Sequence, residues 1–288
     1  MSGQRSPFPP VPPVGHVLKM REVDKQFVGV FVEGPDDVQL WNRWLKHRPV
    51  DQGGCREVRA ALQELEQRKI AGCVGIVDAD LARLRDQLQV APNLIVSGTH
   101  DHECDLVLSP AFERLLQSLP DAAPQLQALA QPSSFQAALR DRALPFGLLR
   151  WLFLDLKRPF PDRLTPNNDQ DQFIDKKRWS LNHRALMDVA AAQLGWSSQK
   201  ASEELTQREA RVPDDKQWDV CHGHDVVALL RIALGAVESP SARNILRSEQ
   251  QVRFALQSAL DSSDLAGFPM WQQLVAWEAR NPPFLARK

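Results

Sequence analysis

Residues 27–37, "FVGVFVEGPDD", decide how the rest of the chain is read. The run is apolar, β-branched or aromatic through Val32, with one glycine, and then breaks at Glu33, Gly34, Pro35, Asp36 and Asp37. Such a run, bounded by acid and a Gly-Pro pair, predicts a buried strand over 26–32. A glutamate at the end of a buried strand raises a functional question, because ligands of open parallel sheets lie beyond the carboxyl ends of the strands.

Outward from this stretch, β and α patterns alternate. "DVQLWNRWLKH" places Val38, Leu40, Trp41, Trp44 and Leu45 at helical spacing, and "RPVDQGG" offers a short second strand and a turn. "CREVRAALQELEQRKI" is rich in helix formers. "IAGCVGIVDAD" is a second apolar run, ending in Asp78 and Asp80; "LARLRDQLQV" predicts a short helix and "PNLIVSG" a further strand. This order predicts an α/β fold, a parallel sheet with helices on both faces. From Ser109-Pro110, an N-cap and first-turn pair, the pattern turns helical, with helices expected near 110–119, 134–157, 181–195, 198–210, 219–237, 241–261 and 270–280. "RPFPDRLTPNNDQDQF" reads as a polar loop, and the tryptophans from Trp151 to Trp277 as packing residues. The expected organisation is a Pro-rich leader over 1–20, extended or disordered through residue 15, an α/β domain over 21–109, and an all-helical domain over 110–288.

The totals narrow the function. An apolar fraction of 43% over 288 residues supports a large core. A net charge of -1 means that a nucleic-acid partner must be met by a local patch or through metal ions. Cys55, Cys73, Cys104 and Cys221 form no C-x-x-C pair, and neither a secretory signal nor a membrane-length apolar run is visible. The expectation is a reduced, cytoplasmic protein without a membrane partner.

Glu33, Asp78 and Asp80 end two expected strands, and His100, Asp101, His102, Glu103 and Asp105 follow a third. With neighbouring strands about 4.8 Å apart, three acidic strand ends fit one crevice under about 10 Å wide. Crowded carboxylates raise one another's pKa and oppose folding, and a divalent cation relieves this. All-oxygen ligands favour Mg2+ or Mn2+ over zinc. If the strand runs on to Asp80, Asp78 and Asp80 share one face. Each acid also has a plainer reading: Asp37 suits a helix N-terminus and Asp80 can cap "LARL".

These residues resemble the TOPRIM family. "VEGPDD" is similar to its Glu-Gly-x-x-Asp signature, with Glu33, Gly34 and Asp37 in the signature places, and "IVDAD" to its Asp-x-Asp, at Asp78 and Asp80. "SGTHDHECDLVLS" resembles a T-x-x-H-x-x-E segment of a TOPRIM branch of bacterial anti-phage defence, near Thr99, His102 and Glu103. "HGHDVVALL" resembles a Gly-His/Lys-Asp helix start in the same branch. The resemblance implies a TOPRIM-like Rossmannoid sheet. Glu33 would serve as general acid/base or metal ligand, Asp78 and Asp80 would hold Mg2+ (or Mn2+), and Asp37 and Glu103 would complete the set. It further implies a toxic effector held silent by an ABC- or AAA-type ATPase partner, and it allows a homodimer.

The activities of TOPRIM proteins can be sorted. A topoisomerase of this kind needs a tyrosine nucleophile, and the chain has no tyrosine. No zinc module or basic template region points to a primase, and no G-x-x-x-x-G-K-[ST] marks a P-loop. The leading expectation is a metal-dependent nuclease, with RNA slightly favoured over DNA by resemblance. The alternatives are a non-catalytic binding or regulatory module and a primase-like nucleotidyl transferase. Nucleic acid has candidate contacts at Lys176, Lys177 and Arg178 beside Trp179, at His102 and His224, and around Arg140, Arg142, Arg150, Lys157 and Arg158. The plainer reading is solvated helix faces. "CHGHD" (221–225) lacks the i, i+4 histidine spacing of a helical zinc site and reads better as a helix start.

Overall fold

The computed structural model describes residues 12–166, 173–245 and 248–287. The chain forms two compact units, one built from 1–79, 88–98 and 265–288, the other from 80–87 and 99–264. The sequence-based boundary at 109/110 thus falls inside the second unit, and the last 24 residues belong with the sheet.

The first unit holds α1 (Pro13–Val23), β1 (Gly29–Val32), α2 (Pro35–Trp41), β2 (Val50–Asp51), α3 (Cys55–Gln67), β3 (Cys73–Val77) and β4 (Leu94–Val96). The extended or disordered leader expected through residue 15 is corrected from Pro13 on, where α1 begins, while 1–11 lie outside the described residues. A proline in the first turn costs a helix no hydrogen bond, so the prolines at 12 and 13 start α1 rather than prevent it. The four strands are parallel, in the order β2-β1-β3-β4. Residues on both faces of β1, β3 and β4 are buried, which explains why the strands read as continuous apolar runs rather than alternating ones.

One face of the sheet packs Phe31, Cys73, Val77, Leu94 and Val96 against Val17 of α1 and Val58 and Leu65 of α3. Gly75 makes this close approach feasible: a Cβ there would lie 2.6 Å from Val58 Cγ1 and 2.8 Å from Leu62 Cδ1. The C-terminal helix α13 (Pro269–Arg280) covers the β4 edge. Gln273 accepts from the Val96 N–H (3.1 Å) and donates to the Val96 carbonyl (2.7 Å), so one side chain satisfies both groups of an edge residue.

The helix expected at "LARLRDQLQV" is only a 3-10 turn over Asp80–Ala82. Asp80 (φ 48°) and Asp86 (φ 52°) sit in the left-handed region, which interrupts a right-handed helix.

The second unit contains α4 (His102–Leu108), α5 (Pro110–Gln117), α6 (Ala123–Ala130), α7 (Phe135–Asp155), β5 (Ile174–Asp175), β6 (Ser180–Leu181), α8 (His183–Leu194), α9 (Ser198–Glu209), α10 (Gly223–Ala236), α11 (Pro240–Ile245) and α12 (Glu249–Ala259). It is not all-helical as expected, because β5 and β6 pair as an antiparallel hairpin. Side-chain oxygens of Ser109, Ser134, Asn182, Ser197 and Ser248 cap α5, α7, α8, α9 and α12. Ser248, in extended conformation, starts a new helix where one continuous helix over 241–261 was expected. The polar loop expected over 158–173 includes a 3-10 turn at Asp162–Leu164, and 167–172 lie outside the described residues. Packing centres on α7 and α10: Phe112 stacks on Phe135, which meets Trp179 at 5.0 Å. No helix among the described residues is long and apolar enough to cross a membrane.

Candidate functional site

Chain order and spatial order differ at one place in the sheet. The chain leaves β1 for β2 on one side and then crosses to β3 on the other. The carboxyl ends of β1 and β3 therefore flank the topological switch point, where open α/β sheets bind ligands. Val32 pairs with Ile76 in the parallel register, so Glu33, one residue on, and Asp78, two residues on, both follow the strand ends that border that crevice. The half-buried Glu33 accepts the Asp78 N–H on Oε1 at 2.7 Å. The next amide, that of Ala79, donates to Ser97 Oγ at 2.8 Å, tying the end of β3 to the end of β4.

Asp37 is buried on α2, and its Oδ2 accepts the Gly34 N–H at 2.9 Å. Its first-turn position also suits the helix dipole, so it braces the turn that carries Glu33. Asp51 ends β2 and was missed in the sequence. Burial raises its pKa and the nearby Asp37 charge adds to the rise, while the Gly53 N–H opposes both. Its only signal was its place after "RPV", in a strand of two residues.

The proposed sharing of one face by Asp78 and Asp80 does not hold. β3 stops at Val77, and Asp80 is exposed, with its N–H donated to the His100 carbonyl at 2.7 Å inside the second unit. Glu103 does not end a strand either; it lies buried in the first turn of α4. Among the described residues, no three Asp, Glu, His or Cys side chains gather closely enough to hold a metal ion.

Within the second unit lies a separate buried polar network. Asp101 caps α4 by accepting the Cys104 N–H at 3.0 Å and takes the Gly223 N–H, at the start of α10, at 2.5 Å. Only glycine fits there, because a Cβ on Gly223 would sit 2.4 Å from Asp101 Oδ1. Burial raises the Asp101 pKa, and Glu103 adds to it. Glu103 Oε1 lies 2.8 Å from Arg253 Nε, and His102 Nε2 lies 3.6 Å from Oε2. Burial pushes the Glu103 carboxyl up, but His102, His224 and Arg253 outweigh it and hold the pKa at about 2. Arg253 also meets His224 Nδ1 at 2.8 Å.

His100 Nδ1 is 3.1 Å from the Asp219 carbonyl, so that nitrogen carries the proton, and Nε2 lies 3.9 Å from Asp80 Oδ1. The His222 ring stands edge-on to His100 and beside His224, each at 5.3 Å. Burial drives the His222 pKa well below its usual value, helped by Arg150, His100 and His224. Arg150 forms a bidentate pair with buried Asp225, at 2.7 and 2.8 Å.

Comparison with known protein families finds no matching model, and comparison with curated proteins and with solved structures finds no match either.

Of the expected nucleic-acid contacts, Lys176, Lys177 and Arg178 are exposed on the β5–β6 turn. Trp179 cannot stack on a base: it is fully buried, donates Nε1–H to the Leu229 carbonyl, and has the Arg142 guanidinium 4.0 Å above its ring. Arg150 and Arg142 serve the interior of the unit in the same way. His102 is buried, and the half-buried His224 has its Nδ1 2.8 Å from Arg253 Nη2. Arg253 and Asp219, which organise the network, gave no sequence signal because Glu103 and His100, which they meet, each lie more than a hundred positions away.

Proposed function

We propose that the chain is a TOPRIM-type, metal-dependent phosphodiesterase acting on nucleic acid. One observation carries the reading: the Glu33 carboxylate accepts the backbone N–H of Asp78 at the switch point of a parallel sheet, so two acidic residues end adjacent strands there. Their donor set fits a hard cation, because Mg2+ binds through one or two carboxylates and keeps several waters instead of requiring a protein cage. Glu33 and Asp78 would hold it. When bound, such an ion supplies Lewis-acid polarisation of a phosphoryl oxygen and a water of lowered pKa.

The chain's own contribution is positioning. The Asp78 N–H fixes the Glu33 carboxylate, Asp37 fixes the turn behind it, and Ser97 fixes the strand end beyond it. Glu33 so held can take a proton from an attacking water. The biological role that accords with the resemblance is a defence effector controlled by an ATPase partner.

A second reading has its own support. The Glu33 to Asp78 hydrogen bond also fastens two strand ends, and this is all it need do in a non-catalytic binding module. Incubation with RNA, single-stranded DNA and plasmid, with Mg2+ or with chelator, separates the two. Cutting that requires metal and is lost in Glu33→Gln supports the enzyme. Binding without cutting, unaltered by that substitution, establishes the module.

A further inference from the structure

α8 and α9 are joined by only three residues, Gly195, Trp196 and Ser197. Gly195, at φ 71°, ends α8 in the left-handed conformation, and Ser197 Oγ caps α9 by accepting the Lys200 N–H at 3.2 Å. The two helices pack on each other. Leu186, Ala190, Ala191 and Leu194 of α8 and Ala201 and Leu205 of α9 are buried. Two packed helices joined by a glycine-bearing turn of three residues have the connection used by a helix-turn-helix, in which the second helix enters the DNA major groove.

The outward residues of α9 suit that role. Gln199, Ser202, Glu203 and Thr206 are exposed. Gln pairs with adenine, Glu accepts from the cytosine amino group, and Ser or Thr serves several base edges. Gln199 Nε2 donates to Glu203 Oε1 at 2.9 Å, which orients the two together. A groove of about 450 Å³ opens beside the first turns of both helices, lined in part by His183, Arg184, Gln199 and Ser202.

Cations flank this face. Arg184 and Lys200 are exposed in the first turns of α8 and α9, and Lys176, Lys177 and Arg178 are exposed on the hairpin turn that leads into α8. Asp175, the acid of that turn, accepts the N–H groups of Lys177 and Arg178, and Asp188 accepts the Ser198 hydroxyl at 2.5 Å. Asp175 also lies 3.9 Å from Arg178 Nε, an exposed pair that holds the guanidinium on the turn.

We infer that α8 and α9 form a duplex-DNA-binding helix-turn-helix, with α9 reading base edges and the β5–β6 turn holding phosphates. The assignment does not depend on the strand-end chemistry. The full chain, in chelator, is titrated into a fluorescent mixed-sequence DNA duplex of roughly 30 base pairs, long enough for several helical turns, and followed by anisotropy. The expected result is binding that weakens steeply between about 50 and 200 mM salt. Lys176→Ala/Lys177→Ala/Arg178→Ala should lower affinity roughly tenfold and the salt slope by about 2–3. Gln199→Ala/Glu203→Ala should abolish enrichment of preferred sites from a randomised duplex pool. Circular dichroism of both variants should match the parent. Cleavage is assayed separately in Mg2+, so failure to cut and failure to bind are read separately. The inference is overturned if the duplex is not bound, if the triple variant binds like the parent, or if duplex RNA binds equally well, since its narrow major groove excludes a helix.

Discussion

Glu33 Oε1 accepts the backbone N–H of Asp78 at 2.7 Å, joining the carboxyl ends of two adjacent parallel strands at the switch point of the sheet. The bond separates two roles of one carboxylate, since an amide in its place can still accept that N–H but cannot take a proton.

Glu33→Gln should therefore keep the fold, with a stability change under about 1 kcal/mol, and lose about 100-fold or more of phosphodiester cleavage. Thermal melts and single-turnover cleavage, run side by side, check both halves. Glu33→Ala should cost both stability and activity.

Mg2+ should raise the melting temperature of the parent chain in a concentration-dependent manner, as expected for a ligand that binds the native state. Asp78→Asn should blunt this shift even where no cleavage is assayed. Equal shifts in parent and variant would remove Asp78 from the metal's ligands.

Glu103 and Arg253 form a buried ion pair at 2.8 Å. Arg253→Met should destabilise the chain by about 3–5 kcal/mol, because it leaves a buried carboxylate without its main partner. The folded pKa of Glu103, about 2, lies below its usual 4.5. The stabilisation is therefore full above the unfolded value and lost as pH falls from about 4.5 toward 2. Urea midpoints across this window should fall in the parent and flatten in Glu103→Gln.

Trp179→Ala should destabilise by about 3–5 kcal/mol, the cost of emptying a fully buried indole site. Lys176→Ala, Lys177→Ala and Arg178→Ala, on the same turn but exposed, should each stay within about 0.5 kcal/mol of the parent. Chemical denaturation of the four variants tests the contrast.

Gln273→Ala removes two hydrogen bonds to the β4 edge and should cost about 1–2 kcal/mol. Light scattering on heating should rise earlier in this variant, because an uncovered strand edge templates association.

Trp179 shows where a local reading stops. "DKKRW" looks like a basic, aromatic surface, and nothing in those five residues reveals that the indole faces Phe135 and Leu229. Asp80 shows the same limit. Its spacing from Asp78 suggested one shared face, but the strand ends at Val77 and a left-handed residue turns the chain away.

The amino-acid sequence by itself determined the apolar runs of β1, β3 and β4, the acids placed just beyond them, and most helix starts. These depend on side-chain type, turn chemistry and periodicity over a few residues. Only the tertiary structure decided that β1 lies between β2 and β3, which sets Glu33 beside Asp78, and that Arg253 closes on Glu103. Those pairings join residues far apart in the chain, and they exist only because packing of the whole unit brings them together.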